Sequence, residues 1–212
     1  MKIVDPAEWR SFDRIYQKLR INEIIKNIKG ESVLEIGGRY GYISAKIARD
    51  LKLSEVYSLD NDEEPVEEGK KLYPYVNFII EDVYDFKPKR KYDTVILPEV
   101  VEHLEFPDEI LKKVVGLANK RIIITVPNRN RVDNKYHYQI FTKERLEAMI
   151  KRNVKFKDLR IIPVARDSVL QRNSFLKKVV GRVFYYFHLD SLVKLNADFE
   201  NSCFLVAVID IK

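Results

Sequence analysis

Short apolar runs rich in Val and Ile alternate along the chain with segments whose apolar residues follow helical spacing. Five runs are predicted to be strands, at residues 32–36, 56–60, 76–80, 92–97 and 121–126. Strands this rich in apolar residues need cover on both faces, which helices between them supply. The pattern therefore predicts a parallel sheet with helices on both sides.

Helices are expected between these strands and at the start of the chain. Asp5 is a favourable N-cap and Pro6 suits the first helical position, so a helix is predicted from there to about Ile28. Further helices are predicted at residues 42–51 and 66–72, around 110–115, and from a cap at Thr142 to about 152. Two last strands are predicted at residues 156–164 and 204–211.

The segment 166–200 interrupts this alternation and is both basic and aromatic, with a helix predicted near 175–186. We expect that helix to pack on the core; a lid over an apolar substrate, or a surface for a membrane or partner, is the alternative. The chain is predicted to be one domain. Its parts are a helical segment at 1–30, a core at 31–165, an insertion at 166–200 and a final strand at 201–212.

Composition narrows the class of protein. The chain has 212 residues, of which 46% are hydrophobic and 33% charged, as in folded globular proteins and unlike disordered ones. Cys203 is the single cysteine, which excludes an internal disulfide and argues against a cysteine-based metal centre. No apolar run approaches the roughly 18 residues needed to span a bilayer. A cytoplasmic protein without a membrane span is expected.

The net charge of +6 is unevenly distributed. Residues 129–182 contain 15 basic and 5 acidic side chains, so this segment carries +10 and the remainder of the chain carries −4. Such asymmetry indicates an anionic partner for one region.

A glycine-rich turn follows the first predicted strand, at residues 35–41. Gly37, Gly38 and Gly41 let the backbone approach a ligand closely and allow positive φ. Glu35 adds a hydrogen-bond acceptor beside the turn. In an open parallel sheet the ligand crevice lies at this end of the strands.

Acidic residues also end the next two strands. Asp60 ends the second strand, where a carboxylate can accept hydrogen bonds from both hydroxyls of a ribose. Asp82 ends the third strand, where an acid can bind an exocyclic amine and the amide of Val83 can bind a ring nitrogen.

A second polar motif follows the fourth predicted strand, at residues 98–104. If this segment is helical, Glu99, Glu102 and His103 lie at i, i+3 and i+4 on one face. Two carboxylates and an imidazole can bind a divalent metal ion. His103 could instead serve as a general base. A solvated first helical turn with a plain capping role has the same composition.

The glycine turn and the two acids together resemble the class I S-adenosylmethionine-dependent methyltransferases, over roughly residues 30–150. In that family the turn holds the methionine part of the cofactor, and the two acids hold the ribose and the adenine. The resemblance implies a cofactor site made of Glu35, Gly37, Gly38, Gly41, Asp60, Asn61, Asp82, Val83 and Pro98. It also implies a Rossmann-like, doubly wound α/β fold with a mainly parallel seven-stranded sheet and an antiparallel final strand.

Arg39 departs from the family pattern, because it stands where the middle glycine of the turn is usual. A nicotinamide-binding domain is the nearest rival, but it prefers Gly-x-Gly-x-x-Gly, which this turn does not supply. Arg39 also motivates a third interpretation, a non-catalytic binding module that keeps the methyltransferase fold.

The Glu-x-x-Glu-His motif, together with the Pro-Asn-Arg sequence at 127–129, is similar to the type 11 and type 23 methyltransferase domains. Among these are the O-methyltransferases of quinone biosynthesis and the 2′-O-methyltransferases of small-RNA ends. In the RNA enzymes, two glutamates and two histidines hold a divalent metal. The resemblance implies that Glu99, Glu102 and His103 would be ligands here, with His137 as the fourth candidate.

We therefore expect an enzyme that uses S-adenosylmethionine to methylate an oxygen of a small molecule, with His103 as the base or a metal ligand. A metal-dependent RNA 2′-O-methyltransferase, using Mg²⁺ or Mn²⁺, is the alternative that the +10 segment favours.

Overall fold

The computed structural model of the protein describes residues 13–88, 90–129, 137–166 and 197–212. Within these ranges the strands are β1 (Ser32–Ile36), β2 (Glu55–Asp60), β3 (Asn77–Ile80), β4 (Tyr92–Pro98), β5 (Ala118–Pro127), β6 (Phe156–Arg166) and β7 (Ser202–Ile211). The helices are α1 (Asp13–Lys26), α2 (Tyr42–Leu51), α3 (Glu63–Leu72), α4 (Pro107–Leu117) and α5 (Lys143–Asn153). A 3₁₀ turn covers Val101–His103.

The described strands form one seven-stranded sheet in the order β3-β2-β1-β4-β5-β7-β6. Strands β1 to β5 run parallel, whereas β7 lies antiparallel between β5 and β6. The predicted doubly wound, mainly parallel sheet with an antiparallel final strand is confirmed. Strand order reverses between β1 and β4, so the crevice that such sheets use for ligands opens at the carboxyl ends of these two strands.

The sheet separates two apolar layers. On one face, Leu34 and Ile124 pack in a cluster that includes residues of α4 and α5. On the other face, Val33 and Ile123 pack in a cluster that includes residues of α1 and α2. Consecutive strand residues point to opposite faces, and both faces are covered, which explains why these strands are apolar at nearly every position.

The start of α5 follows the predicted capping chemistry. The Thr142 side chain accepts a hydrogen bond from the Arg145 amide at 3.3 Å and so caps α5. Pro107 occupies the first turn of α4, where its missing N–H costs nothing.

Strand limits differ from the predictions by a few residues. The clearest case is β5, which begins at Ala118 rather than Arg121. Ala118 pairs with Tyr92, so the strand extends through Asn119 and Lys120, two exposed polar residues that resemble a loop in the sequence.

Some predictions lie outside the described residues, namely the helix start at Asp5 and the helix at 175–186 in the insertion. Among the helices that the structure does describe, none combines the length and apolarity needed to cross a membrane.

Candidate functional site

The glycine turn leads from the end of β1 into α2. Gly37 and Gly41 have φ values of 75° and 70°, and Arg39 has φ of 46°. The Gly37 and Gly38 amides both donate to the Leu59 carbonyl of β2, at 2.8 and 3.2 Å. Arg39 thus adopts the left-handed conformation that glycine usually provides, at a cost of about 1 kcal/mol for a residue with a Cβ. The turn forms without its middle glycine.

Close packing explains why glycine is needed at two of these positions. A Cβ on Gly37 would lie 2.7 Å from Val100 Cγ2, and a Cβ on Gly38 would lie 2.0 Å from Ser58 Oγ. Both distances are shorter than van der Waals contact, so strand β2 and the segment after β4 both pack directly against the turn.

Glu35 lies buried beneath this turn and holds the start of α2. One carboxylate oxygen accepts hydrogen bonds from the Ser44 amide at 2.9 Å and from the Ser44 hydroxyl at 2.5 Å. Burial raises the pKa of Glu35 from 4.5 to about 7, and the Ser44 hydrogen bonds oppose that shift. The side chain is therefore an acceptor fixed between a strand and a helix.

The loops after β1, β2 and β3 are connected by their acidic side chains. Asp60 accepts hydrogen bonds from the Arg39 and Asp62 amides, each at 2.9 Å. Asp82 accepts from the Asn61 side-chain amide at 3.2 Å and from the Tyr84 backbone amide at 2.8 Å. A carboxylate has about four acceptor positions, so both acids keep capacity for a ligand.

A cavity of ≈ 160 Å³ opens where these loops meet. Its lining comes from the ends of β1, β2 and β3 and from the segment after β4: Ile36, Gly37, Leu59, Asp60, Asn61, Glu81, Asp82, Val83, Tyr84, Val100 and Leu104. Five of the residues predicted to bind the cofactor are in this lining. Four others are not: Glu35, Gly38, Gly41 and Pro98.

A second group of polar residues is formed by the segment after β4 together with His137. Ligand atoms of Glu102, His103 and His137 all lie within 4.8 Å of one another, and the two imidazole ring centroids are 4.8 Å apart. The Glu102 carbonyl accepts hydrogen bonds from the Tyr138 and Gln139 amides at 2.9 and 3.1 Å. These backbone hydrogen bonds bring His137, distant in sequence, next to His103.

Glu102 is 1% exposed, and neither oxygen of its carboxyl group has a hydrogen-bond partner among the described residues. Burial raises its pKa from 4.5 to about 8, and the nearby charge of Glu99 adds to the increase. A buried carboxylate without partners is costly, and a divalent cation would relieve that cost. One carboxylate and two imidazoles therefore fit Mn²⁺, Zn²⁺ or Fe²⁺ as a three-residue ligand set.

Glu99 is near Glu102 but is not part of this three-residue group. Its φ is 56°, its amide donates to the Thr125 carbonyl at 2.9 Å, and its carboxylate pairs with Arg20 at 3.1 Å. Only Val101–His103 forms a helical turn, so Glu99, Glu102 and His103 do not share the helical face that the sequence suggested. The chain bends at Glu99, directly after β4, and the helical turn begins only at Val101.

Arg20, which pairs with Glu99, was not among the residues predicted for the site. This side chain lies on α1 between Tyr16 and Ile24, at a spacing of four residues on either side, and all three residues are buried. A basic residue on the apolar face of a helix was the available signal.

A second cavity, of ≈ 190 Å³, lies at the carboxyl end of β5 and the start of α5. Its described lining is Asn128, Arg129, Thr142, Lys143, Glu144, Phe199 and Glu200. The Asn128 side-chain amide donates to the Phe199 carbonyl at 2.8 Å and to the Ser202 hydroxyl at 2.9 Å, which ties β5 to the start of β7.

The model of a methyltransferase domain family matches residues 9–200 of the chain. The sheet order and the cavity at the ends of β1, β2 and β3 agree with this match. The chain belongs to the class I S-adenosylmethionine-dependent methyltransferases.

Individual relatives are distant. An N-methyltransferase 4 of Papaver somniferum is 26% identical over 118 residues, which is 52% of this chain and 32% of that protein. A malonyl-[acyl-carrier protein] O-methyltransferase 1 of Ilyobacter polytropus is 36% identical over 70 residues, 32% of this chain and 26% of that protein. The chain thus matches about a third or less of the length of these curated relatives.

Solved structures show the same fold. Magnesium protoporphyrin IX methyltransferase from Synechocystis PCC 6803, crystallised with bound S-adenosylhomocysteine, superposes with a TM-score of 0.62 at 14% identity. The superposition covers 95% of this chain and 86% of that one.

Proposed function

We propose that the protein transfers a methyl group from S-adenosylmethionine to an oxygen atom of a small molecule. The observation that carries this proposal is the cavity lined by Gly37, Asp60, Asn61, Asp82 and Val83. These residues come from three separate strand ends and have the chemistry that a nucleoside with an amino-acid tail requires.

The proposed cofactor contacts divide among the three loops. The glycine turn would hold the methionine part, Asp60 the ribose hydroxyls, and Asp82 with the Val83 amide the adenine edge. The Asn61 hydrogen bond to Asp82 orients that carboxylate, and the Arg39 amide orients Asp60.

When bound, the cofactor would supply an electrophilic methyl group that passes from its sulfur to the acceptor oxygen, and it would be released as S-adenosylhomocysteine. A ring nitrogen of His103 takes the proton that the acceptor hydroxyl loses. The protein contributes mainly by aligning the acceptor and excluding water.

The choice of oxygen rests on His103. A hydroxyl must lose its proton on methylation, and a ring nitrogen of an imidazole can accept it. The relatives support methyl transfer in general, since one is named an O-methyltransferase and the other an N-methyltransferase.

Calorimetry with S-adenosylhomocysteine tests the cofactor site. The Asp60→Asn variant should weaken binding about tenfold or more, because it removes a charged acceptor. Asp50→Asn, an exposed change on α2, should bind like the unmodified protein. Absence of binding at millimolar concentration would reject the proposal and support the non-catalytic interpretation with Arg39 in the turn.

A second candidate function is metal-dependent 2′-O-methylation of RNA. The specific observation in its favour is the buried carboxyl group of Glu102 beside His103 and His137. The +10 charge of residues 129–182 supports an anionic acceptor.

This candidate predicts that Mn²⁺ binds to the protein and that Glu102→Gln abolishes the binding. It also predicts RNA binding that weakens steeply as salt concentration rises, because phosphate contacts release counterions. RNA binding that is absent or insensitive to salt would reject it and leave the small-molecule proposal in place.

A further inference from the structure

Arg20 lies where α1 meets the carboxyl ends of β4 and β5, and it is 5% exposed. Each nitrogen of its guanidinium group has a partner. Nε donates to Gln17 Oε1 at 2.8 Å, Nη1 donates to Thr125 Oγ1 at 2.9 Å, and Nη2 pairs with Glu99 Oε2 at 3.1 Å. The guanidinium also lies 5.4 Å from the centre of the Phe204 ring. All three guanidinium nitrogens of this buried arginine thus contact described residues.

Arg20, Thr125 and Glu99 form a closed ring of contacts. Thr125 receives the Arg20 hydrogen bond on its hydroxyl and the Glu99 amide on its carbonyl, the latter at 2.9 Å. The ion pair between Arg20 and Glu99 completes the ring. Glu99 needs such restraint, because its φ of 56° is unfavourable for a residue that is not glycine.

The bend at Glu99 determines where the following residues lie. Val100 lines the cofactor cavity and packs so closely on Gly37 that a Cβ there would be 2.7 Å from Val100 Cγ2. The His103 amide donates to the Val100 carbonyl at 3.0 Å, so the turn that carries Glu102 and His103 is built on Val100. A shift at Glu99 would move one cavity wall and the proposed base together.

We infer that Arg20 is a positioning residue of the methyl-transfer site, which fixes the bend at Glu99 and thereby the positions of Val100 and His103. Helix α1 thus helps to position the site, although it contributes no residue to the cavity lining. The inference depends on the proposed function only for its effect on cofactor affinity.

The experiment compares Arg20→Met with a matched control, Arg121→Met. Arg121 is also a largely buried arginine: it pairs with Asp210 at 2.9 Å and donates to the Asn27 carbonyl, just after α1, at 2.8 Å. It lies at the amino end of β5, the opposite end of the sheet from the site. Both variants lose an ion pair that is at least partly buried, but only Arg20→Met breaks the ring of contacts at Glu99.

Two measurements are made on the full chain. Hydrogen exchange of the Glu99 and His103 amides is followed without ligand, and S-adenosylhomocysteine affinity is measured by calorimetry. In Arg20→Met these amides should exchange about tenfold faster or more, and affinity should fall about tenfold, as expected when a buried charge loses its partner. Arg121→Met should lower overall stability yet leave both values within about twofold.

Equal acceleration in both variants, or none in Arg20→Met, would overturn the inference. If Arg20→Met does not fold, Glu99→Ala opens the same ring while Arg20 keeps Gln17 and Thr125, and unchanged exchange at His103 in that variant would also overturn it. Because exchange is followed without ligand, a failure of the unmodified protein to bind S-adenosylhomocysteine would reject the proposed function and leave this comparison valid.

Discussion

Glu35 carries a carboxyl group that is buried between β1 and α2 with Ser44 as its hydrogen-bond donor. Burial favours the neutral form, so the folded protein holds this proton more tightly than the unfolded chain does. The group therefore makes the stability of the fold depend on pH across a range in which an ordinary glutamate would already be fully ionised.

The sign of that dependence follows from the two pKa values, 4.5 in the unfolded chain and about 7 in the fold. Below pH 4.5 both states are protonated; as pH rises towards 7 the unfolded chain ionises first and stability falls. A shift of this size is worth roughly 3 kcal/mol. Glu35→Gln should therefore gain stability relative to the unmodified protein between pH 4.5 and 7, in urea unfolding. The exposed change Glu105→Gln is the control, and a constant difference between pH 4.5 and 8 would contradict the prediction.

Gly38 is closely packed and Gly116 is not, so alanine should have opposite effects on stability at these two positions. Gly38 has Ser58 Oγ 2.0 Å from where a Cβ would lie, whereas a Cβ on Gly116 in α4 would meet nothing within 4 Å. Gly38→Ala should cost about 1–3 kcal/mol of unfolding free energy through overpacking. Gly116→Ala should gain up to about 1 kcal/mol, because alanine restricts the unfolded chain.

A substitution at Ser58 tests whether this contact causes the loss of stability in Gly38→Ala. The Ser58 hydroxyl is buried without a hydrogen-bond partner among the described residues, so Ser58→Ala removes the clash at little cost. Gly38→Ala combined with Ser58→Ala should recover most of the lost stability. An equally large loss in the double variant would assign the cost to something other than this contact.

Helix α5 shows how an element boundary depends on one side chain. Thr142 caps the helix through its hydroxyl, which accepts from the Arg145 amide at 3.3 Å. Thr142→Ala should lower the free energy of unfolding by about 1 kcal/mol, and Thr142→Ser should retain most of it. Because Thr142 also lines the second cavity, chemical denaturation of the ligand-free protein is the appropriate measurement. An alanine variant as stable as the serine variant would show that the cap contributes nothing.

The strands and their ends were predictable because they depend on local pattern. Runs such as 32–36 and 121–126 are apolar over their full length, and a parallel sheet brings their carboxyl ends to one edge, which places Asp60 near Asp82. The bend at Glu99 was not predictable, because it arises from a hydrogen bond to Thr125 in another strand. The ion pair of Glu99 with Arg20 likewise joins residues 79 positions apart.

Among the described residues, acidic groups at the two ends of the sheet differ in their partners. At the amino end they form ion pairs: Glu55 with Arg90 at 2.7 Å, Asp93 with Lys120 at 3.0 Å, and Asp210 with the largely buried Arg121 at 2.9 Å. The exposed pair of Arg90 with Glu55 contributes little stability, typically about 0–1 kcal/mol. At the carboxyl end lie the two buried carboxyl groups with raised pKa values, Glu35 and Glu102. Unfavourable burial is thus concentrated where ligands are proposed to bind.

Because the proposed cofactor cavity and the proposed metal group use different residues, their ligands should stabilise the fold through separate side chains. S-adenosylhomocysteine at about 100 times its dissociation constant should add about 2.7 kcal/mol, since it binds the folded state alone. For a domain of this size that corresponds to a rise of roughly 5–10 °C in the thermal midpoint. Asp60→Asn should remove most of this rise, whereas Glu102→Gln should keep it and should instead lose the rise produced by Mn²⁺.

If Asp60→Asn responded to S-adenosylhomocysteine as fully as the unmodified protein does, the cofactor would have to bind away from the ends of β1, β2 and β3. If Mn²⁺ stabilised Glu102→Gln undiminished, the buried carboxyl group would have no part in holding the metal, and the RNA candidate would lose its structural support.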